Sequence, residues 1–319
     1  MQLATTLIAT HGNHISYLQA IVLGLLQGVT ELFPISSLGH SVLIPALLGW
    51  HNLVGSQTAD TSFFLTFVVG LHLGTAIGLI LYYRRTWVTL AGGLVSSVKE
   101  RSIAKPAQRL IWLLILGTIP VGVVGLVLEH TLRKQFAKPL SASIFLMVNG
   151  LILFGAELLR RRSLARAGMS TAKGRHTKGQ AAAVSDEVAT GTYNLETLPL
   201  SRGVAIGASQ ILGLIAGISR SGANMAAGLL GGLDHEDAAQ FSFLLATPVI
   251  LAAALLKLPE LFGPLGNGIR GQCLVGAIAA GVAGYFSVKF LVRWFETKTL
   301  WPFAVYCLIV GGACAIYFS

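Results

Sequence analysis

Stretches of about 20 mostly apolar residues, long enough to cross the hydrocarbon core of a bilayer as an α-helix, recur along the whole chain. Charged residues make up only 11% of the 319 positions, whereas a soluble domain carries roughly 25%. The sequence therefore predicts an all-α, polytopic membrane protein. The clearest spans are 63–83, 110–128, 140–159, 239–257, 271–293 and 300–318.

The basic residues indicate how these spans are oriented. Most of the Lys and Arg side chains behind the net charge of +10 lie in two segments, 84–109 and 160–202. Such segments face the cytoplasm in membrane proteins, and the two spans between them allow both to lie on that side. The charge is therefore a topology signal and does not predict nucleic-acid binding. Residues 163–200, rich in small and charged residues, are typical of a flexible cytoplasmic linker.

Two polar stretches, 183 positions apart, look like diverged copies of one loop. Each interrupts a pair of apolar segments that are too short to be simple spans, which predicts re-entrant helix hairpins at 18–49 and 203–233. Three spans follow each hairpin, so residues 1–162 and 201–319 form two repeats around the linker. Because the number of spans per repeat is odd, the second repeat is inverted relative to the first. We expect the two loop tips to meet near the middle of the membrane.

An arginine between hydroxyl groups and glycines marks the second loop. This loop reads Gly217-Ile218-Ser219-Arg220-Ser221-Gly222-Ala223-Asn224. Glycines let backbone N–H groups approach an anion, and a guanidinium can hold two phosphate oxygens at once. The pattern predicts a phosphate-binding loop in which the side chain of Arg220 stabilises charge. The substrate-binding residues are then Gly217, Ser219, Ser221, Gly222 and Asn224. A structural ion pair between Arg220 and Glu31 is the alternative, and the two interpretations are compatible.

An acid and an imidazole mark the first loop, which spans positions 27–40. Glu31 is a candidate ligand of a divalent cation, with the Gln27 side chain one helical turn earlier as a second oxygen donor, or a candidate proton acceptor. Ser37 is a candidate nucleophile, and His40 is a candidate acid–base because imidazole titrates near neutral pH. Ser36 is a candidate donor to phosphate. Each hydroxyl could instead satisfy the backbone where a helix breaks.

One more histidine lies inside a predicted span. His72 occurs in Gly70-Leu71-His72-Leu73-Gly74, between apolar residues. An ionisable side chain at membrane depth is a candidate site residue, and helix packing is the alternative. We expect His72 to support the site residues rather than to contact the substrate.

Taken together, these motifs resemble the undecaprenyl-diphosphatase family of the bacitracin-resistance type. The resemblance covers nearly the whole chain apart from 163–200. It rests on Gln27-Gly-Val-Thr-Glu31, Phe33-Pro-Ile-Ser-Ser-Leu-Gly-His40, Gly217-Ile-Ser-Arg-Ser-Gly-Ala223 and Phe241-Ser-Phe-Leu-Leu-Ala-Thr-Pro248.

That resemblance implies an enzyme of the bacterial inner membrane. It would hydrolyse a polyprenyl diphosphate to the monophosphate and inorganic phosphate, which recycles the lipid carrier of cell-wall synthesis. The site would open to the outer face and use a divalent cation such as Mg²⁺ or Ca²⁺. Glu31, Ser37, His40, Ser219 and Arg220 would line it. The chain has Ala216 and Asn224 where the family commonly has Pro and Thr.

Two other functions are compatible with the residues. Inverted repeats with broken helices are a common transporter architecture, so a secondary transporter or flippase for a prenyl phosphate or another anion is the main alternative. A prenyl-phosphate-binding protein without activity is a third interpretation, suggested only by Ala216 and Asn224. The clustered hydroxyls, imidazole and guanidinium favour phosphatase chemistry over both. A homodimer is left open.

Overall fold

A computed structural model describes residues 15–50, 53, 63–136, 138–172 and 192–319, and in this part all regular secondary structure is helical, with no β-strand. The helices are α1 Tyr17–Thr30, α2 Ser37–Leu47, α3 Phe63–Tyr82, α4 Arg84–Glu100, α5 Pro106–Phe136, α6 Pro139–Ala172, α7 Leu200–Ala208, α8 Arg220–Leu230, α9 His235–Lys257, α10 Pro259–Phe262, α11 Arg270–Phe295 and α12 Trp301–Tyr317. Short 3₁₀ helices occupy Ser209–Leu214 and Pro264–Gly266.

Five helical segments in the described part are long and apolar enough to cross a bilayer. They are α3, the Pro106–Leu128 part of α5, the Pro139–Ala165 part of α6, α9 with α10, and α11. The sixth predicted span corresponds to α12, which has 17 residues, at the lower end of the roughly 17–25 residues that suffice. The prediction of an all-α, polytopic membrane protein is confirmed.

Two segments differ from the predicted organisation. Residues 84–109 contain α4, a helix that the apolar pattern did not indicate, because only a narrow face, with Leu90, Gly93 and Ser97, is buried. In addition, α6 continues to Ala172, inside the segment predicted as a linker. Residues 1–14 and the 173–191 part of that linker lie outside the described residues.

The first hairpin is fixed by close packing of α1 against α11. A Cβ atom added to Gly24 would overlap the carbonyl oxygen of Gly276, and one added to Gly28 would overlap that of Ala280. Small residues four positions apart let two membrane helices approach this closely. The end of α1, where Glu31 follows, is therefore held at a defined distance from α11.

The two hairpins share the helix that follows each break and the way in which it is capped. Helix α2 has 11 residues and follows Ser36, whose side chain caps it by accepting from the Gly39 N–H. Helix α8 also has 11 residues and follows Ser219, which caps it by accepting from the Gly222 N–H. The shift of 183 positions seen in the sequence superimposes both ends of these helices. The two helices and their side-chain caps are thus equivalent, whereas the backbone of the capping residues differs, with φ of 73° at Ser36 and −83° at Ser219.

Gly217 is required at the second break for two reasons: its backbone conformation and the lack of room for a side chain. Its φ of +106° lies in the region that side chains disfavour, and an added Cβ would overlap the carbonyl oxygen of Ala142. We expect Gly217→Ala to lower the free energy of unfolding by about 1–3 kcal/mol or more, as measured by thermal unfolding in detergent. Gly92→Ala is the matched control, because Gly92 lies in α4 with no atom within 4 Å of an added Cβ. This control should be neutral or slightly stabilising, and equal losses in both variants would contradict the prediction.

Candidate functional site

The breaks of the two hairpins meet at a single cavity of about 210 Å³. Its polar side chains are Glu31, Ser36, Ser37, His72, Ser219 and Arg220. Its apolar walls come mainly from two spans, with Leu65, Val68 and Val69 on α3 and Val249, Ile250 and Ala253 on α9. The structure therefore combines a compact polar end with an apolar cleft between two membrane helices.

Glu31 is the centre of the polar end. Its side chain is buried, and it accepts hydrogen bonds from Ser37 Oγ at 2.5 Å and Gln27 Nε2 at 3.0 Å on one oxygen. The other oxygen accepts from Arg220 Nη2 at 2.9 Å. A buried carboxylate needs such partners because it has lost its water shell. Ser37 Oγ is thus already aligned with an acceptor for its proton.

His72 also belongs to the polar end. We expected it to lie behind the site residues, but it lies on the cavity wall. Its Nδ1 donates to the carbonyl of Val68 at 2.8 Å, and its Nε2 lies 3.2 Å from Glu31 Oε2. A backbone carbonyl can only accept, so Nδ1 carries a proton. The Nε2 side of the ring therefore faces the carboxylate oxygen that also accepts from Ser37.

Arg220 reaches the cavity from the first turn of α8. Besides Glu31, it donates from Nη1 to the side-chain oxygen of Gln210 at 3.3 Å. These two contacts use two of the five N–H donors of a guanidinium. Gln210 is the counterpart of Gln27 in the sequence repeat, so each copy of the glutamine orients one member of the Glu31–Arg220 pair.

Asn149, which sequence analysis overlooked, joins the two breaks. This α6 side chain is fully buried and donates from Nδ2 to the carbonyl of Pro34 at 2.9 Å. Its Oδ1 accepts from the backbone N–H of Ser219 at 3.0 Å. A single Asn inside an apolar span was the available signal, because polar side chains at membrane depth are usually functional. The spacing of Arg220 from Glu31 therefore depends on this amide.

The hydroxyl groups at the breaks differ in their access to the cavity. Ser36 and Ser219 line it, and Ser36 has a φ of 73°, which costs on the order of 1–3 kcal/mol for a non-glycine residue. Ser221 does not line the cavity; its Oγ lies 3.0 Å from Ser219 Oγ and donates to the carbonyl of Phe33 at 3.3 Å. Among these hydroxyls, only those of Ser36, Ser37 and Ser219 are placed to meet a ligand.

His40 lies behind the first break and is not part of the cavity wall. Its Nδ1 donates to the Ser36 carbonyl at 2.7 Å, and its Nε2 lies 2.9 Å from the Tyr306 hydroxyl. Both ring nitrogens are therefore engaged with the protein. The histidine holds the backbone at Ser36 and, through it, the position of Ser37.

The remaining candidates also lie off the cavity. Gln27 contacts it only through Glu31, and Gly217 and Gly222 shape the backbone around Ser219. The Asn224 side chain is fully buried, and its Oδ1 accepts from Ser209 Oγ at 2.9 Å. Its Nδ2 has no hydrogen-bond partner among the described residues. The structure thus brings six of the candidates together and places six around them.

The residues do not form a metal site by themselves. The described part of the chain holds no group of three or more His, Cys, Asp or Glu side chains that could bind an ion. Gln27 turns its amide N–H toward Glu31 rather than offering an oxygen beside it, and the carboxylate already has three hydrogen-bond donors. The described residues alone therefore do not form the predicted cation site.

Comparison with known proteins places this arrangement in a family. Residues 20–313 match the family described as Bacitracin resistance protein BacA. The chain belongs to this family. Undecaprenyl-diphosphatase 2 of Frankia alni is 50% identical, over 96% of this chain and 99% of its own length. Undecaprenyl-diphosphatase of Mycolicibacterium paratuberculosis is also 50% identical, over 96% and 98%. The BacA family match includes the breaks of both hairpins and every cavity residue.

Proposed function

We propose that this chain hydrolyses undecaprenyl diphosphate, or a polyprenyl diphosphate like it, to the monophosphate and inorganic phosphate. The observation that carries the proposal is the junction of a polar pocket, containing Glu31, Ser37 and Arg220, with an apolar cleft between α3 and α9. A prenyl diphosphate likewise combines a polar diphosphate with an apolar chain. Family membership and the names of the relatives support this substrate and the role in recycling the cell-wall lipid carrier.

The position of the cavity along α3 and α9 supports an outward-facing site in the bacterial inner membrane. On α3 the cavity residues lie between Leu65 and His72, in the first half of the helix, and Arg84 and Arg85 follow its other end. On α9 they lie near its C-terminal end. Basic segments face the cytoplasm, so both walls belong to the outer half of the membrane. In this orientation the two hairpins enter from opposite sides, as the predicted inverted repeat requires.

The contacts support phosphoryl transfer through Ser37. Its Oγ attacks the terminal phosphorus while Glu31 accepts its proton, and Arg220 with the Ser219 hydroxyl stabilises the phosphoryl oxygens. The bond from that phosphorus to the bridging oxygen breaks, and Glu31 transfers the proton to the departing monophosphate. Water then attacks the phosphoserine, one of its protons returns through Glu31 to Ser37 Oγ, and inorganic phosphate leaves.

Phosphate release from undecaprenyl diphosphate by the purified chain in detergent tests this function. We expect multiple turnovers, measured with Mg²⁺, with Ca²⁺ and with a chelator. The control is Arg162→Ala, an exposed arginine in α6 far along the chain from the hairpins, which should match the wild type. A well-folded protein that releases no phosphate, but moves a prenyl phosphate across proteoliposomes, would replace the proposal with the transporter.

A further inference from the structure

A second, shallow groove runs along the outside of the bundle, between α3 and α11. Its volume is about 400 Å³, and its lining is apolar. The floor is made by Gly74, Gly78 and Gly281, where the two helices touch: a Cβ on Gly78 would overlap the Gly281 carbonyl oxygen. Exposed side chains form the walls, namely Ile77 and Leu81 on α3 and Leu274, Ile278, Val282 and Phe286 on α11.

A basic pocket of about 500 Å³ continues this groove at the C-terminal end of α11. Phe286 lines both spaces, so the apolar groove and the basic pocket are adjacent. The pocket is lined by Phe286, Lys289, Phe290, Arg293, Trp294, Thr297 and Lys298. The structure shows no ion pair for its three cations within the described residues, and Glu296 is the one acid in this stretch of sequence.

The dimensions and position match one leaflet of a bilayer. From Leu274 to Phe286 the α11 wall rises about 18 Å, and half of the hydrocarbon core is about 15 Å thick. The rings of Tyr82 and Tyr285 lie 5.8 Å apart, so the cations are at the end of the bundle where Arg84 follows α3. The basic segments place that end in the cytoplasm, on the opposite side from the proposed opening of the catalytic cavity.

We propose that this groove and pocket bind an anionic phospholipid of the cytoplasmic leaflet. One acyl chain lies on the glycine floor between the two walls, and the headgroup phosphate meets Lys289, Arg293 and Lys298. Trp294 and Phe290 lie at the level where aromatic side chains contact headgroups. Three cations against one acid favour an anionic headgroup over a zwitterionic one. The site is separate from the cavity at Glu31, so the proposal does not depend on the enzymatic activity.

Lipid titration of the purified chain in detergent micelles tests this site, with phosphatidylglycerol and phosphatidylcholine as probes. Native mass spectrometry counts the bound lipids, and thermal unfolding gives an independent affinity. We expect one phosphatidylglycerol to bind more tightly than phosphatidylcholine. The triple variant Lys289→Gln, Arg293→Gln, Lys298→Gln should weaken phosphatidylglycerol binding on the order of 100-fold, because each basic side chain contributes at the membrane surface.

Two controls separate the site from general charge and surface effects. Lys99→Gln, Lys138→Gln, Arg162→Gln removes three exposed cations outside the groove and should leave the affinity unchanged. Val282→Trp fills the groove and should reduce lipid binding, whereas Leu126→Trp, on the exposed face of α5, should not. Equal affinity for the two lipids, or the same loss in both triple variants, would overturn the proposal.

Discussion

Arg220→Ala is expected to lower phosphate release from undecaprenyl diphosphate by about 100- to 1,000-fold, the usual cost of removing one donor that stabilises transition-state charge. In the structure this guanidinium lies on the cavity wall, 2.9 Å from Glu31 Oε1, with donors left for a phosphoryl oxygen. Initial rates at saturating substrate measure the loss. Arg220→Lys should recover only part of the rate, because an ammonium cannot hold two oxygens in the same plane.

A folding defect must be distinguished from this loss. Removing the arginine leaves Glu31 buried without its cation, and breaking a buried pair in this way costs about 3–5 kcal/mol of stability. The double variant Glu31→Gln, Arg220→Met removes both charges and should unfold at a higher temperature than Arg220→Ala while remaining inactive. If folded Arg220→Ala kept activity within threefold of the wild type, Arg220 would not act on the phosphoryl group.

Ser37→Ala is expected to lower the rate on the order of 10⁴-fold or more, the scale seen when a nucleophile is removed from an enzyme. The reason is the 2.5 Å hydrogen bond from Ser37 Oγ to Glu31, which aligns the hydroxyl with its proton acceptor. Acid quenching during turnover should also trap phosphate on the peptide that contains Ser37. Mass spectrometry of the digested protein detects that adduct.

Ser41→Ala provides the matched control, since Ser41 lies one turn further along α2 and donates to the backbone carbonyl of Leu38. Its rate should equal that of the wild type. A Ser37→Ala variant that retains a tenth of the activity, with no trapped phosphate in the wild type, would identify water as the direct attacking group. Glu31 would then accept a proton from that water, instead of from the Ser37 hydroxyl.

The membrane spans could be predicted from the sequence because a helix that crosses lipid must consist mostly of apolar residues. The ends of the helices could not be predicted in this way. Helix α5 begins at Pro106 and α6 runs to Ala172, because polar residues extend each helix beyond its apolar part. Helix α4 was missed for a related reason. It contacts the bundle through a narrow face, so its sequence resembles a loop of Ser, Thr, Gly and Arg.

The site was predictable in its residue types but not in its geometry. The contact of Glu31 with Arg220 was considered from charge alone, because each needs a partner at membrane depth. The rotation of α3 about its axis decides that Nε2 of His72 faces Glu31, and the rotation of α2 decides that His40 faces Tyr306 instead. Neither rotation can be read from the sequence. Asn149 joins the breaks from a third helix, and no spacing between the two loops could reveal that.

The cleft between α3 and α9 implies that the enzyme works in two dimensions. Ala253 on its wall is exposed on the lipid-facing surface, so a prenyl chain enters and leaves sideways within the bilayer, while inorganic phosphate departs into water. The effective substrate concentration is therefore its mole fraction among the lipids, and dilution with inert lipid slows turnover at constant bulk concentration. An inhibitor that carries an apolar chain into this cleft must likewise first partition into the membrane.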